Sequence, residues 1–141
     1  MRARVEPAVT ADELRLVLAE SPFARIHSFQ LESFGPGKCT LRVPFQQELE
    51  RPGGIVAGAV LMTVSDVAMW LAIMTLLGKD TMTVTTELKT TFLNSARSED
   101  VICTARVLKP GKTLIYGLAE CRSTTDVLLS HHTITYIKIP S

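Results

Sequence analysis

Residues 57–77 read AGAVLMTVSDVAMWLAIMTLL, an apolar run whose one ionisable side chain is Asp66. The run lacks Pro, Lys, Arg, Glu and His, and as a helix it makes nearly six turns, or about 30 Å. A helix apolar around its whole circumference must be enclosed by protein or by lipid. A carboxylate near its middle costs several kcal/mol unless something holds it. Asp66 is therefore the first candidate for chemistry.

Length alone would let this helix span a bilayer. Asp66 at its midpoint opposes insertion by about 2.5–3.5 kcal/mol. The run is also rich in small and hydroxylic residues (Ala57, Gly58, Ala59, Thr63, Ser65, Ala68), which suit close packing against protein. Strand-like segments flank it, without a basic loop to orient insertion. The expectation is a core helix of a soluble domain, not a membrane span.

Strand signals lie on both sides. A short helix opens at Thr10, where Thr10 and Glu13 form a T-x-x-E capping box, and Ser21-Pro22 closes it. Alternating patterns predict strands at about 24–34 and 39–45, joined by Gly35–Lys38. The loop QQELERPGGIV leads into the long helix, which should stop at Gly78. Four strands are then expected in meander, at 81–93, 99–108, 113–122 and 127–139. The sum is an α+β domain, an antiparallel sheet of five to six strands wrapped around one long central helix. At 141 residues it is read as a single domain over 1–141, with the 1–22 segment packing on it. An open sheet keeps edges, so a homodimer is expected.

A formal net charge of +1 offers no electrostatic footprint for nucleic acid or an anionic membrane. Few, dispersed aromatics give no stacking platform for bases. Cys39, Cys103 and Cys121 are widely separated, with no CxxC and no His at metal spacing, so free thiols and no metal are expected. The N-terminal MRARVEPAVTADELRLVL has no uninterrupted apolar stretch typical of a secretory signal, and a cytoplasmic location is expected.

The element order, with the run RPGGIVAGAVLMTVSDVAMW and the strand VTTELKTTFL, resembles the hot-dog-fold acyl-CoA thioesterases, in their phenylacetate-pathway (PaaI-like) branch. In that branch a His-Gly-Gly loop opens the central helix, and an acidic residue follows about two and a half turns on. Those positions fall on Ala57-Gly58-Ala59 and Asp66. Ala57 thus replaces the loop histidine, and Arg51 stands near the family's frequent loop Asn.

The resemblance implies a catalytic set of Asp66, Gly58 and Thr85. Asp66 would act as base or nucleophile. The Gly58 amide, at a helix start with unpaired N–H groups, would bind the oxyanion. The Thr85 hydroxyl would orient water and come from the partner subunit. Ala57 would touch substrate, and Arg97, Lys109 and Lys112 would receive the phosphates of coenzyme A. Coenzyme A enters as part of substrate and product, with no separate cofactor, and the assembly implied is a homodimer or a dimer of dimers.

Each assignment has a structural competitor. Asp66 could be held by Thr63, Gly58 could serve only packing, and Thr85 could be an ordinary strand residue. Met62, Met69, Met74 and Trp70 read as core or interface. His27, His131 and His132 read as strand residues remote from the helix start. A dehydratase on the same fold would need a catalytic His, and none occurs between His27 and His131. A non-catalytic acyl-CoA-binding protein is the alternative that Ala57 leaves open.

Overall fold

The computed structural model describes residues 6–140. Its elements are α1 (Ala11–Glu20), α2 (Pro22–Ile26), β1 (Gln30–Gly35), β2 (Lys38–Val43), a 3-10 turn (Gln47–Leu49), β3 (Glu50–Arg51), β4 (Ile55–Val56), α3 (Gly58–Leu77), β5 (Thr83–Phe92), β6 (Val101–Pro110), β7 (Leu114–Ser123) and β8 (Leu128–Lys138). Six strands form one antiparallel sheet in the order β1-β2-β6-β7-β8-β5. The sheet curls around α3, the hot-dog arrangement.

The capping box forms as expected: Thr10 N donates to Glu13 Oε1 at 3.0 Å, and Glu13 N to Thr10 Oγ1 at 3.1 Å. Helix α1 buries Leu14 and Leu18, and Ala8 N donates to Thr75 O at 2.7 Å, fastening the segment to the end of α3. Residues 1–5 of the expected 1–22 segment lie outside the described residues. Helix α3 ends at Gly78 with φ 82°, which side chains disfavour and glycine adopts freely.

Two expectations need correction. Residues 24–26, expected in a strand, belong to α2, because Pro22 at the first helical position begins a helical turn rather than only ending one. His27 accordingly caps α2 and is not on a strand. Second, β5 is not part of a meander. It pairs with β8 at the far edge, and only β6, β7 and β8 follow in order. The physical reason is the link over residues 93–100, which has no tight-turn pair, whereas 110–113 and 124–127 turn directly.

The core lies between α3 and the concave sheet face. Leu41, Cys103, Ala105, Ala119, Cys121 and Ile134 are fully buried there. Gly117 permits this close approach, since a Cβ on it would collide with Arg106 O and the end of Met69. All three cysteines are free and buried. His132 is also buried, bonded through Nδ1 to Thr90 Oγ1 at 2.8 Å and through Nε2 to Ser130 Oγ at 2.7 Å. Helix α3 is long and apolar enough to cross a membrane, but most of it is enclosed by this sheet.

The enclosure is incomplete. Ala59, Met62, Thr63, Asp66 and Trp70 lie on one stripe at helical spacing and are only partly covered or exposed. The carboxylate expected to be buried is therefore half-buried, on the open stripe of its helix.

Candidate active site around Asp66

Asp66 stands at the third turn of α3, where the open stripe passes the N-terminal half of β5 and the C-terminal half of β8. Thr85 Oγ1 donates to Asp66 Oδ1 at 2.7 Å. The Tyr136 hydroxyl lies 2.8 Å from the same oxygen and 2.9 Å from the Asp66 main-chain carbonyl, so its single proton is shared between two acceptors. Asp66 Oδ2 accepts no hydrogen bond among the described residues and is not buried. One carboxylate oxygen is fixed and the other is open.

Tyr136 is the functional candidate that sequence reasoning missed. It follows the inward alternation of β8 (His132, Ile134, Tyr136), which alone looks like core packing. Its hydroxyl was the available signal, because a buried tyrosine needs a partner. Burial, and then the nearby Asp66 charge, push its phenol well above the ordinary range, so it stays a donor. Thr63, the structural competitor for holding Asp66, instead donates to Ala59 O at 2.8 Å.

Asp66 borders an apolar pocket of about 270 Å³ walled by Phe23, Val67, Trp70, Val84 and Tyr136. Phe23 and Ser21 reach it from the α1–α2 corner, a contribution that no sequence motif indicated. Two larger hollows exist, of about 550 Å³ on the outer sheet face and about 410 Å³ beside α1 and α2. Neither contains the carboxylate. Trp70 thus forms a pocket wall, while Met69 and Met74 are core and Met62 is exposed.

Gly58 opens α3 after Ala57, whose φ −61° and ψ 138° are extended and whose side chain caps nothing. Ala57 N donates to Leu49 O and Val60 N to Ala57 O, which leaves the N–H groups of Gly58 and Ala59 without an acceptor among the described residues. Phe92, at the end of β5, packs on Gly58: a Cβ there would lie 2.9 Å from the ring tip. The packing competitor is thus real, and it coexists with an amide that has no acceptor among the described residues.

Gly58 and Asp66 are not brought together within one chain. Eight residues of helix separate them by about 12 Å along the axis. Thr85, in contrast, meets Asp66 of its own chain, which corrects the expectation that a partner subunit would supply it to this carboxylate. Arg97 donates to Gly53 O at 2.9 Å, beside the loop that opens α3. Lys109 and Lys112 lie at the β6–β7 hairpin, the other end of the sheet. Among the described residues no cluster of His, Cys, Asp and Glu is arranged for a metal.

Comparison with known proteins identifies the family of this chain. The thioesterase superfamily model matches residues 53–130, more than half the chain. A Thermoplasma acidophilum protein provisionally named an esterase is 28% identical over 105 residues, 74% of this chain and 79% of its own. Zebrafish thioesterase superfamily member 2 superposes with a TM-score of 0.82 at 26% identity, covering 92% of this chain and 98% of that one. The E. coli PaaI protein of the phenylacetic acid degradation operon shares the fold, with a TM-score of 0.83 at 14% identity over 92% and 93% of the two chains. The chain belongs to the thioesterase superfamily, a hydrolase family of the hot-dog fold.

Proposed function

We propose that this protein is an acyl-CoA thioesterase acting on a small or medium acyl or aryl-acyl group, with Asp66 as base or nucleophile. The observation that carries the proposal is the asymmetry of the carboxylate: Thr85 and Tyr136 hold Oδ1, while Oδ2 is open beside an apolar pocket. As base, Oδ2 takes a proton from water that attacks the thioester carbonyl. As nucleophile, it forms a mixed anhydride with loss of the thiolate, and water then hydrolyses that anhydride. Both routes give a carboxylic acid and coenzyme A, and both develop an oxyanion that needs a donor.

The donor comes from a second copy. Asp66 lies at Thr85, and Gly58 lies against the ring tip of Phe92, seven residues further along β5. β5 is a sheet edge of ten residues with no partner on its outer side among the described residues. Two β5 strands paired antiparallel about their middle would set Thr85 and Asp66 of one chain beside Gly58 and Phe92 of the other. The same register sets exposed Val84 against the partner copy's exposed Leu93 and covers the open stripe of α3. It also brings Arg97 of one chain to the same sheet end as Lys109 and Lys112 of the other, where the phosphates of coenzyme A would be received. The homodimer is the catalytic unit, and its free thiols fit a cytoplasmic setting.

Turnover of an acyl-CoA panel, followed with a thiol reagent, tests the reading. Release of coenzyme A that is lost in Asp66→Asn supports it. Saturable acyl-CoA binding without turnover would make this a non-catalytic acyl-CoA-binding protein, the reading to which the absent loop histidine at Ala57 lends weight.

A further inference from the structure

A hollow of about 550 Å³ lies on the outer face of the sheet, across β2, β6 and β7. The strand alternation that turns Cys103 and Ala105 toward α3 turns Thr104 and Arg106 the other way. The hollow is therefore separated from Asp66 by the sheet itself.

Its charges fall into two groups. Arg42 is paired with Glu32 at 3.4 Å and Asp100 at 3.2 Å. Arg122 is paired with Glu120 at 3.3 Å and with Asp126 at 3.7 Å, and Glu120 also meets His131 at 3.1 Å. The acids at this face are thus spoken for, and His131 with Arg122 holds the Glu120 carboxyl below the usual range, as an anion. Lys38 and Arg106 are different. They are direct cross-strand partners in the β2–β6 register, and neither has an acidic partner within 4 Å among the described residues.

Like charges placed directly opposite in a sheet are destabilising. Two register positions away, on the same face, Thr40 Oγ1 and Thr104 Oγ1 share one hydrogen bond of 2.9 Å. Two hydroxyls carry two protons and this bond uses one, so one O–H donor is left over. An ammonium, a guanidinium and a spare hydroxyl thus lie within two register positions of one another at this corner of the hollow, with no acceptor for any of them among the described residues.

We propose that this corner is a binding site for a diphosphate-bearing small anion. Two phosphoryl groups supply enough acceptor oxygens for the Arg106 fork, the Lys38 ammonium and the threonine hydroxyl together, and they neutralise the opposed cations. A monovalent carboxylate would leave one cation unanswered. The inference does not depend on the thioesterase reading, because none of these residues belongs to the Asp66 site.

Isothermal titration of the full chain at low salt with pyrophosphate and with 5′-ADP tests it. The expected result is saturable pyrophosphate binding with one site per chain. Lys38→Ala and Arg106→Ala should each weaken it at least tenfold, and Thr104→Val should weaken it less. Circular dichroism and acyl-CoA turnover should be unchanged in Lys38→Ala and Arg106→Ala. Asp66→Asn should bind pyrophosphate as the wild type does, so that failure at either site is read separately. Equal binding of both probes assigns the site to the diphosphate alone, and tighter binding of 5′-ADP assigns it to a nucleoside diphosphate. Absence of saturable pyrophosphate binding, or binding indifferent to both alanine substitutions, overturns the proposal. A change of oligomeric state in Arg106→Glu without anion binding in the wild type also overturns it, and makes this face a contact between copies.

Discussion

The Tyr136 hydroxyl lies 2.8 Å from Asp66 Oδ1 and 2.9 Å from the carbonyl of the same residue. One strand side chain thus fixes the Asp66 carboxylate and the helix turn that carries it. A hydrogen bond to a charged group contributes about 1.5–3 kcal/mol, and every 1.4 kcal/mol on a barrier is about tenfold in rate.

Tyr136→Phe should therefore lower kcat about tenfold or more, with a smaller change in KM, because the lost group orients the carboxylate rather than the acyl chain. Thr85→Val should act in the same direction. The double variant should lose less than the product of the two, since both donors serve one oxygen. Steady-state kinetics on one good acyl-CoA measure this, with melting curves to separate folding from chemistry. Full kcat in Tyr136→Phe would remove it from the site.

Asp66→Asn should abolish hydrolysis while the protein melts close to the wild type. An amide oxygen still accepts from Thr85 and Tyr136, so the fold keeps its hydrogen bonds. It loses both basicity and nucleophilicity at the second position. Retained turnover with a strongly lowered melting temperature would make Asp66 structural.

The fold was legible because its signals are local and periodic. The capping box at Thr10, the stop at Gly78 and the β6–β7–β8 turns each depend on residues adjacent in sequence. The position of β5 at the far edge depends on a long link without turn chemistry, and so it was misread as a meander strand. For the site, Asp66 was visible as a charge in an apolar run. Tyr136, Ser21 and Phe23 were not, because their role arises from distances across the fold that strand alternation and a Ser-Pro helix boundary do not encode.

Gly58→Ala should cost little stability. The new Cβ meets the ring tip of Phe92 at 2.9 Å, and that side chain is half exposed and can shift. Phe92→Leu in the same chain should return the difference. Gly58→Pro deletes the N–H itself at a position where proline fits a helix. Loss of one oxyanion donor costs about 2.7–4 kcal/mol, so kcat/KM should fall about a hundredfold or more in the proline variant. Equal, mild losses in both variants would remove Gly58 from the mechanism.

Alkaline pH should destabilise the fold through the buried Cys39 thiol. Burial pushes Cys39 up to about 12 from an ordinary value of 9.0. The native state thus holds this proton where the unfolded chain has released it. The stabilisation is complete below about pH 9, and it is lost as pH rises from there toward 12. Denaturant midpoints at pH 8, 9.5 and 10.5 should fall steadily, and Cys39→Ala should flatten that slope while lowering stability at every pH. An unchanged slope in the variant would count against this account.

The proposed pairing of two β5 edges makes the sharpest prediction. If Asp66 of one chain works with Gly58 of the other, two inactive variants should rescue each other when their subunits exchange. A mixed dimer of Asp66→Asn and Gly58→Pro chains contains one doubly defective site and one site with both groups intact. Random exchange makes half the dimers mixed, so activity should recover to about a quarter of the wild-type value. Leu93→Arg should block the rescue by breaking the β5 edge, where Leu93 would meet the partner copy's Val84. Sedimentation should then report monomers, although no group at Asp66 has been altered. Recovery after mixing cannot arise from a site built within one chain. A mixture that stays inactive despite verified subunit exchange would place both groups in one chain, against the 12 Å of helix that separates them.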